Sequence, residues 1–310
     1  MVLMDYLSKS HRPERSKGWP AALTALVCVL VGCAPVVADA SNSIDGSLLR
    51  IEQVASRLSS VPSAVATVED AATAAGISGV SEAAAILRLS VDASFDADAM
   101  AAEVAKAVEE IDGQTVDGEA LAHAAAAIEE GRTKVAQIYQ AQDQMAAKDI
   151  EARLSDAKSG ASIQELTQLM AAPDLAVETA ITSQLMYVAM GAFSDSGTAD
   201  LVSASKDRLS AEAPTVISAL RARNENQKPM PKDAARLDET ARLSFVLATL
   251  STEDLSVLLK FYRSAGGKAK RRALVDSYAR EMNQANAMML QAYFSALANY
   301  LKTHPRPSSD

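Results

Sequence analysis

LVDSYAREMNQANAMMLQAYFSALANY, residues Leu274–Tyr300, decides the fold class. Leu274, Tyr278, Met282, Ala285, Met289, Tyr293, Ala296 and Tyr300 recur at steps of three and four. That spacing puts side chains on one face of an α-helix. Phe294, Leu297 and Leu301 widen the stripe near its end. The pattern predicts one helix of about ten turns that buries its stripe against other helices. Pro305 and Pro307 stop it, and residues 304–310 read as a disordered tail.

Helical spacing recurs upstream, and no stretch alternates apolar and polar residues long enough to argue for a strand. Hydrophobic residues make up 49% of the chain but aromatics only 4%, so the apolar part is mostly Ala, Leu, Val and Met. Such residues suit closely packed helices and form strands poorly. The expected fold is all-α: a multi-helix bundle of antiparallel helix hairpins, about eight to ten helices and no sheet.

Helix starts can be read from the sequence. Ser251 is an N-cap candidate with Asp254 three residues on, and Leu250 and Leu255 occupy the two hydrophobic-staple positions. Asp96 repeats the staple with Phe95 and Met100, and Ser162 with Glu165 reads as a second capping box. Val116–Ala157 reads as one long helix or two nearly collinear ones. Breaks are expected at Gly76–Gly79, Asp112–Gly118, Ser159–Gly160, Ser194–Gly197 and Asn224–Lys232.

These breaks suggest a helical domain or first half over 41–224, a linker or long loop over 225–232, and a C-terminal capped helix hairpin over 233–303. Ile163, Leu166, Leu169 and Pro173 match Leu255, Leu258, Phe261 and Ala265 at a constant offset of 92, so the chain is a candidate for two similar halves.

The first forty residues carry an address. Lys9, Arg12, Arg15 and Lys17 precede the apolar run Ala21–Val31, and Ala38-Asp39-Ala40 follows. A basic region, an apolar stretch and a small-residue site make a secretory signal peptide over 1–40. The run is short of the roughly 20 residues that span a bilayer. Two processing sites compete: cleavage after Ala40, or after Gly32 at Leu30-Val31-Gly32-Cys33, which resembles a lipobox and would place a lipid on Cys33. The expected location is the periplasm or, as a lipoprotein, the outer membrane, with membrane contact only through the signal or that lipid.

Cys28 and Cys33 are the only cysteines, and both lie in this segment. The mature chain then has no disulfide and no thiol nucleophile. The net charge is −9, and removal of residues 1–40, which hold four basic and three acidic side chains, leaves −10. An acidic exported protein gains nothing from phosphate backbones, so no nucleic-acid partner is expected.

At Leu250–Gly267 the chain reads LSTEDLSVLLKFYRSAGG. Leu250, Ser251, Asp254, Leu255, Phe261, Tyr262, Ser264 and Gly267 match a pattern LSxxDL…FYxSxxG, with Ala265 where Pro is usual. The stretch resembles the signature of the exported bacterial domain-of-unknown-function 2059 family. SLLRIEQVASRLSSVP and VDASFDADAMAAEV look like that family's opening helices. The resemblance implies an all-helical fold and export, and it supplies no activity or catalytic residue.

The residues themselves give that motif a structural role: Phe261 and Tyr262 end a capped helix, residues 264–267 turn, and Lys268 starts the next. The Tyr262 hydroxyl is expected to find a polar partner at the turn. Gly267 is expected to supply a left-handed angle or a close approach. The competing reading makes the turn an anion-binding notch.

Lys268, Lys270, Arg271 and Arg272 read as a solvated helix face rather than a patch for headgroups. His123, four residues after Glu119, has no second imidazole on its face, so it reads as a surface His and not a metal ligand. Met186, Met190, Met282, Met288 and Met289 read as core filler before a Met-lined groove. No catalytic, cofactor-binding or metal residue is assigned, and no cofactor is implied.

Two functions remain. The first is a non-enzymatic exported protein that binds an envelope protein or ligand, or serves a structural role there. The second is a carboxylate-dependent envelope hydrolase, which needs two acids flanking the scissile bond.

Overall fold

Short polar side chains set where the helices begin. Ser43 Oγ accepts the Gly46 N–H at 2.9 Å and opens α1, Ile44–Ile51. Asp96 Oδ1 accepts the Ala99 N–H at 3.0 Å and opens α5, Ala97–Glu109. Phe95 and Met100 are both buried beside that cap, as a hydrophobic staple requires. The computed structural model describes residues 43–112, 117–194, 206–222 and 229–304. The signal segment with Cys33, residues 225–228 of the expected linker and Pro305–Asp310 lie outside the described residues.

Between α1 and α5 come α2 (Val54–Ser59), α3 (Val61–Ala74) and α4 (Val80–Asp92). Then follow α6 (Gly118–Ala141), α7 (Gln144–Ser155), α8 (Ala157–Leu169), α9 (Ala172–Ser194), α10 (Lys206–Ala222), α11 (Lys232–Leu247), α12 (Thr252–Arg263) and α13 (Ala265–Thr303). The described residues contain thirteen helices and no strand, an all-α multi-helix bundle. The number exceeds the eight to ten expected because the chain breaks where no Gly or Pro announces it. Gln53 takes φ 56° and separates α1 from α2, and Gln142 takes φ 51° and separates α6 from α7.

Two expectations about boundaries are corrected. Asp156 caps α8 through the Lys158 and Ser159 N–H groups at 3.1 and 2.7 Å. Ser162 and the Ser159–Gly160 pair therefore lie inside α8, and the Ser162/Glu165 capping box is not formed. Asp143 caps α7 through the Met145 and Ala146 N–H groups, so of the two readings of Val116–Ala157, one helix or two, the described residues form two. The Gly76–Gly79 break is real: both glycines have positive φ. A Cβ on Gly79 would also lie 2.7 Å from Cδ1 of the Phe193 ring.

α13 is the spine. Its 39 residues span about 58 Å at 1.5 Å per residue, and it packs against α4, α5, α9, α10 and α12. Leu274, Tyr278, Met282, Ala285, Met289 and Tyr293 are buried as the stripe predicts. In the last turns the seam moves to Leu297 and Leu301. Ala296 is exposed, and Tyr300 lies partly open between the Phe193 and His304 rings, with centroids at 5.7 and 4.3 Å.

α9 is the central helix. It touches α3, α4, α10, α11 and α13, and its apolar side chains lie on every face rather than on one stripe. Met186, Met190, Met282 and Met289 are fully buried core side chains, whereas Met288 is 43% exposed.

Candidate functional site

The signature residues converge on a helix corner. Ser251 Oγ accepts the Asp254 N–H at 3.0 Å and caps α12, and Leu250 and Leu255 are buried beside it. Asp254 also faces His123 of α6, with its Oδ1 3.0 Å from Nδ1. His123 thus meets an aspartate 131 residues away instead of Glu119. Phe261 and Tyr262 are both buried, their rings edge to face at 5.0 Å.

Ser264 closes the corner twice. Its Oγ donates to Phe261 O at 2.6 Å and accepts the Gly267 N–H at 2.9 Å, capping α13. Gly267 does not have positive φ. Its requirement is the close approach: a Cβ there would stand 2.8 Å from the Phe261 carbonyl carbon and 2.9 Å from Ser264 Oγ. The N–H groups that an anion would need at this helix start are in part already taken by Ser264.

Sequence reasoning missed the group that Tyr262 reaches. The partner is not at the turn: the hydroxyl donates to Glu52 Oε1, 210 residues away. Glu52 has no exposed surface, and the same oxygen accepts the Ala171 N–H at 2.9 Å. Ala171 lies in the α8–α9 corner and Tyr262 in the α12–α13 corner, so one carboxylate ties the two corners together. Burial pushes the Glu52 pKa up, while Tyr262, Ala171, Arg57 and Arg132 oppose it. Burial and the Glu52 charge drive the Tyr262 pKa well above 10.

The backbone beside Glu52 is broken, and the freed carbonyls are taken up. Gln53 in the left-handed region ends α1. Arg132 then donates to Ile51 O at 2.8 Å, and Arg57 Nε donates to Glu52 O at 3.1 Å. Arg57 also pairs with Glu239 of α11. The signal that could have found this cluster is Glu52 itself. It stands four residues after Leu48 and next to Ile51, on the apolar face of the opening helix, where an unpaired carboxylate would be costly.

The basic run is corrected. Lys270 is buried, with Nζ donating to Val108 O at 3.1 Å and Ile111 O at 2.8 Å beside an ion pair to Asp45 at 2.7 Å. It reinforces the C-terminal end of α5, where Val108 O also accepts the Ile111 N–H at 3.2 Å and Ile111 O lies just past the helix. Arg271 is partly buried and pairs with Asp174. Arg272, with 84% of its side chain exposed, fits the solvated-face reading.

A cleft opens where α7 runs from α6 to α8 beside α11. α7 contains no buried residue. Beneath it is a cavity of about 520 Å³ lined by Val135, Ile138, Tyr139, Ala147, Ile150 and Phe245, with Gln142, Asp143, Gln144 and Glu151. Tyr139 is 56% exposed, and its ring lies 6.4 Å from that of Phe245. A second cleft flanks α7 beyond Leu154 and runs along Leu237, Thr240, Ala241 and Ser244 of α11.

Among the described residues no group of three His, Cys, Asp or Glu side chains could hold a metal ion, and no helix is long and apolar enough to cross a membrane. No protein-family model, curated protein or solved structure matches this chain.

Proposed function

We propose that this chain is an exported, non-enzymatic helical protein of the cell envelope that binds its ligand in the cleft between α6, α7 and α11. The observation that carries the reading is α7, a helix with no buried side chain laid over an apolar cavity. Ligand sites are typically concave, mostly apolar and about 300–1,000 Å³ in volume. Export rests on the basic, apolar and small-residue order of residues 1–40 and on the LSxxDL…FYxSxxG likeness to the domain-of-unknown-function 2059 family.

The carboxylate-dependent hydrolase finds less support. Asp143 and Glu151 both line the cleft, but they sit eight residues apart on one wall, about 12 Å along the α7 axis. Glycosidase carboxylates face each other across the bond at roughly 5–9.5 Å. Of the buried carboxylates Glu52, Glu178 and Asp254, none lines either cleft.

Methyl NMR tests the binding site. In a titration with envelope extract, the Val135, Ile138 and Ile150 signals should shift while those of Leu258 and Leu274 stay still. Shifts confined to the Phe261–Gly267 corner would contradict the site. Mass spectrometry of the protein from its native host tests export. A Ser41 N-terminus, or a lipidated Cys33 lost in Cys33→Ser, supports it, and an intact Met1 refutes it.

A further inference from the structure

The cleft under α7 has a chemical bias that narrows its ligand. Among the residues that line it, two carry carboxylates, Asp143 and Glu151, and none is Lys or Arg. The flanking cleft is the same, with Asp156 and no basic residue. Neither Asp143 nor Glu151 takes part in an ion pair among the described residues. Many acidic groups elsewhere are neutralised: Glu129 by Arg50, Glu69 by Arg88, Glu178 by Arg221, Asp174 by Arg236 and Arg271. Glu151, exposed on α7 and in no ion pair among the described residues, can therefore meet a charge carried by a ligand in this cleft.

The aromatic content agrees in sign. The chain holds only 4% aromatic residues. Even so, Tyr139 and Phe245 bring two rings to the cleft, tilted 49° to each other with centroids 6.4 Å apart. A ring face attracts positive charge, and the exposed Tyr139 ring lines the same cleft as Glu151, which suits a cation carried on an apolar body. Val135, Ile138 and Ile150 supply the apolar floor. An anion would meet two carboxylates here with no compensating base, and a neutral apolar ligand would leave them unused.

Resting on the binding reading above, we propose that the ligand is a small organic cation with an apolar tail, held against the exposed Tyr139 ring with its charge toward Glu151. Asp143 is partly committed, since its Oδ1 already caps α7. Glu151 is then the principal counter-charge, and because it sits on α7 the ligand ties that loosely packed helix to α6 and α11.

Calorimetric titration of the purified protein with hexyltrimethylammonium, hexanol and hexanoate separates the possibilities. All three share a six-carbon tail and differ in head charge. The cation should bind at least about tenfold more tightly than hexanol, and more weakly as salt is raised. Hexanoate should show no binding.

Tyr139→Leu and Glu151→Gln should each weaken the cation several-fold. Both side chains are at the surface, so neither change should lower the melting temperature; if Tyr139→Leu does, Glu151→Gln alone decides. Equal or tighter binding of hexanol or hexanoate, lost in Tyr139→Leu, overturns the cation and leaves the cleft as a binding site. Cation binding indifferent to both substitutions overturns the assignment to this cleft. No heat and no thermal shift with any of the three overturns both readings.

Discussion

A carboxylate withdrawn from water either gives up its charge or finds donors, and Glu52 draws donors from distant parts of the chain. The Ala171 N–H and the Tyr262 hydroxyl reach one oxygen, and Arg57 and Arg132 take up the carbonyls beside it. Only the place of Glu52 on an apolar helix face was legible; its donors lie far along the chain, and the break at Gln53 has neither Gly nor Pro to mark it.

The same blindness turned Lys270 into a surface charge, because its carbonyl partners, Val108 and Ile111, lie about 160 residues upstream. Lys270→Met should cost about 2–4 kcal/mol, since it strands the Ile111 carbonyl and leaves the half-buried Asp45 without its ion pair. Arg272→Ala should stay within about 0.5 kcal/mol. Urea unfolding of the two variants checks this, and equal midpoints would contradict the reinforcing role of Lys270.

At the scale of elements, local chemistry was legible and long-range chemistry was not. Ser251 and Asp96 cap the helices the sequence assigns to them because a cap depends only on residues within one turn. The Ser162/Glu165 pair imitates that signature, yet Asp156 starts the helix six residues earlier and leaves Ser162 in its interior. The stripe of α13 is buried through Tyr293, and past it the covered face shifts from Ala296 to Leu297 and Leu301. The cleft was illegible too, because Tyr139 sits in an Ala/Gln-rich run that reads as uninterrupted helix until Gln142 turns it.

The α12–α13 corner belongs to this scale as well. Phe261→Ala should cost about 3–5 kcal/mol, the usual loss for a fully buried Phe. Gly267→Val should destabilise because the new Cβ collides with the Phe261 carbonyl, and not through backbone angle. Thermal melts decide: a Phe261→Ala protein as stable as wild type would remove the architectural reading of the signature.

Across the whole molecule, one apolar cluster runs from Leu48 to Leu301, and the Glu52 network lies inside it. Burial gives this network a pH signature. The folded-state pKa of Glu52 is raised above its ordinary value of 4.5, so its stabilising contribution is complete below about pH 4.5 and is lost as pH rises through the raised value. Gln at this position does not titrate. The stability difference between wild type and Glu52→Gln should therefore be largest near pH 4.5 and shrink at higher pH. Urea midpoints measured across that range check it, and a difference that grows with pH would contradict burial as the dominant influence on Glu52.

The claim that holds the architecture together is that the two helix corners meet through the Tyr262–Glu52 hydrogen bond. A double-mutant cycle of Tyr262→Phe and Glu52→Leu, which removes the donor and the acceptor in turn, read by urea unfolding at one pH, measures that bond most directly. A coupling of about 1–3 kcal/mol is predicted, with the double variant little worse than the poorer single one. Losses that add to within about 0.5 kcal/mol would show that the two side chains act independently and would contradict the account.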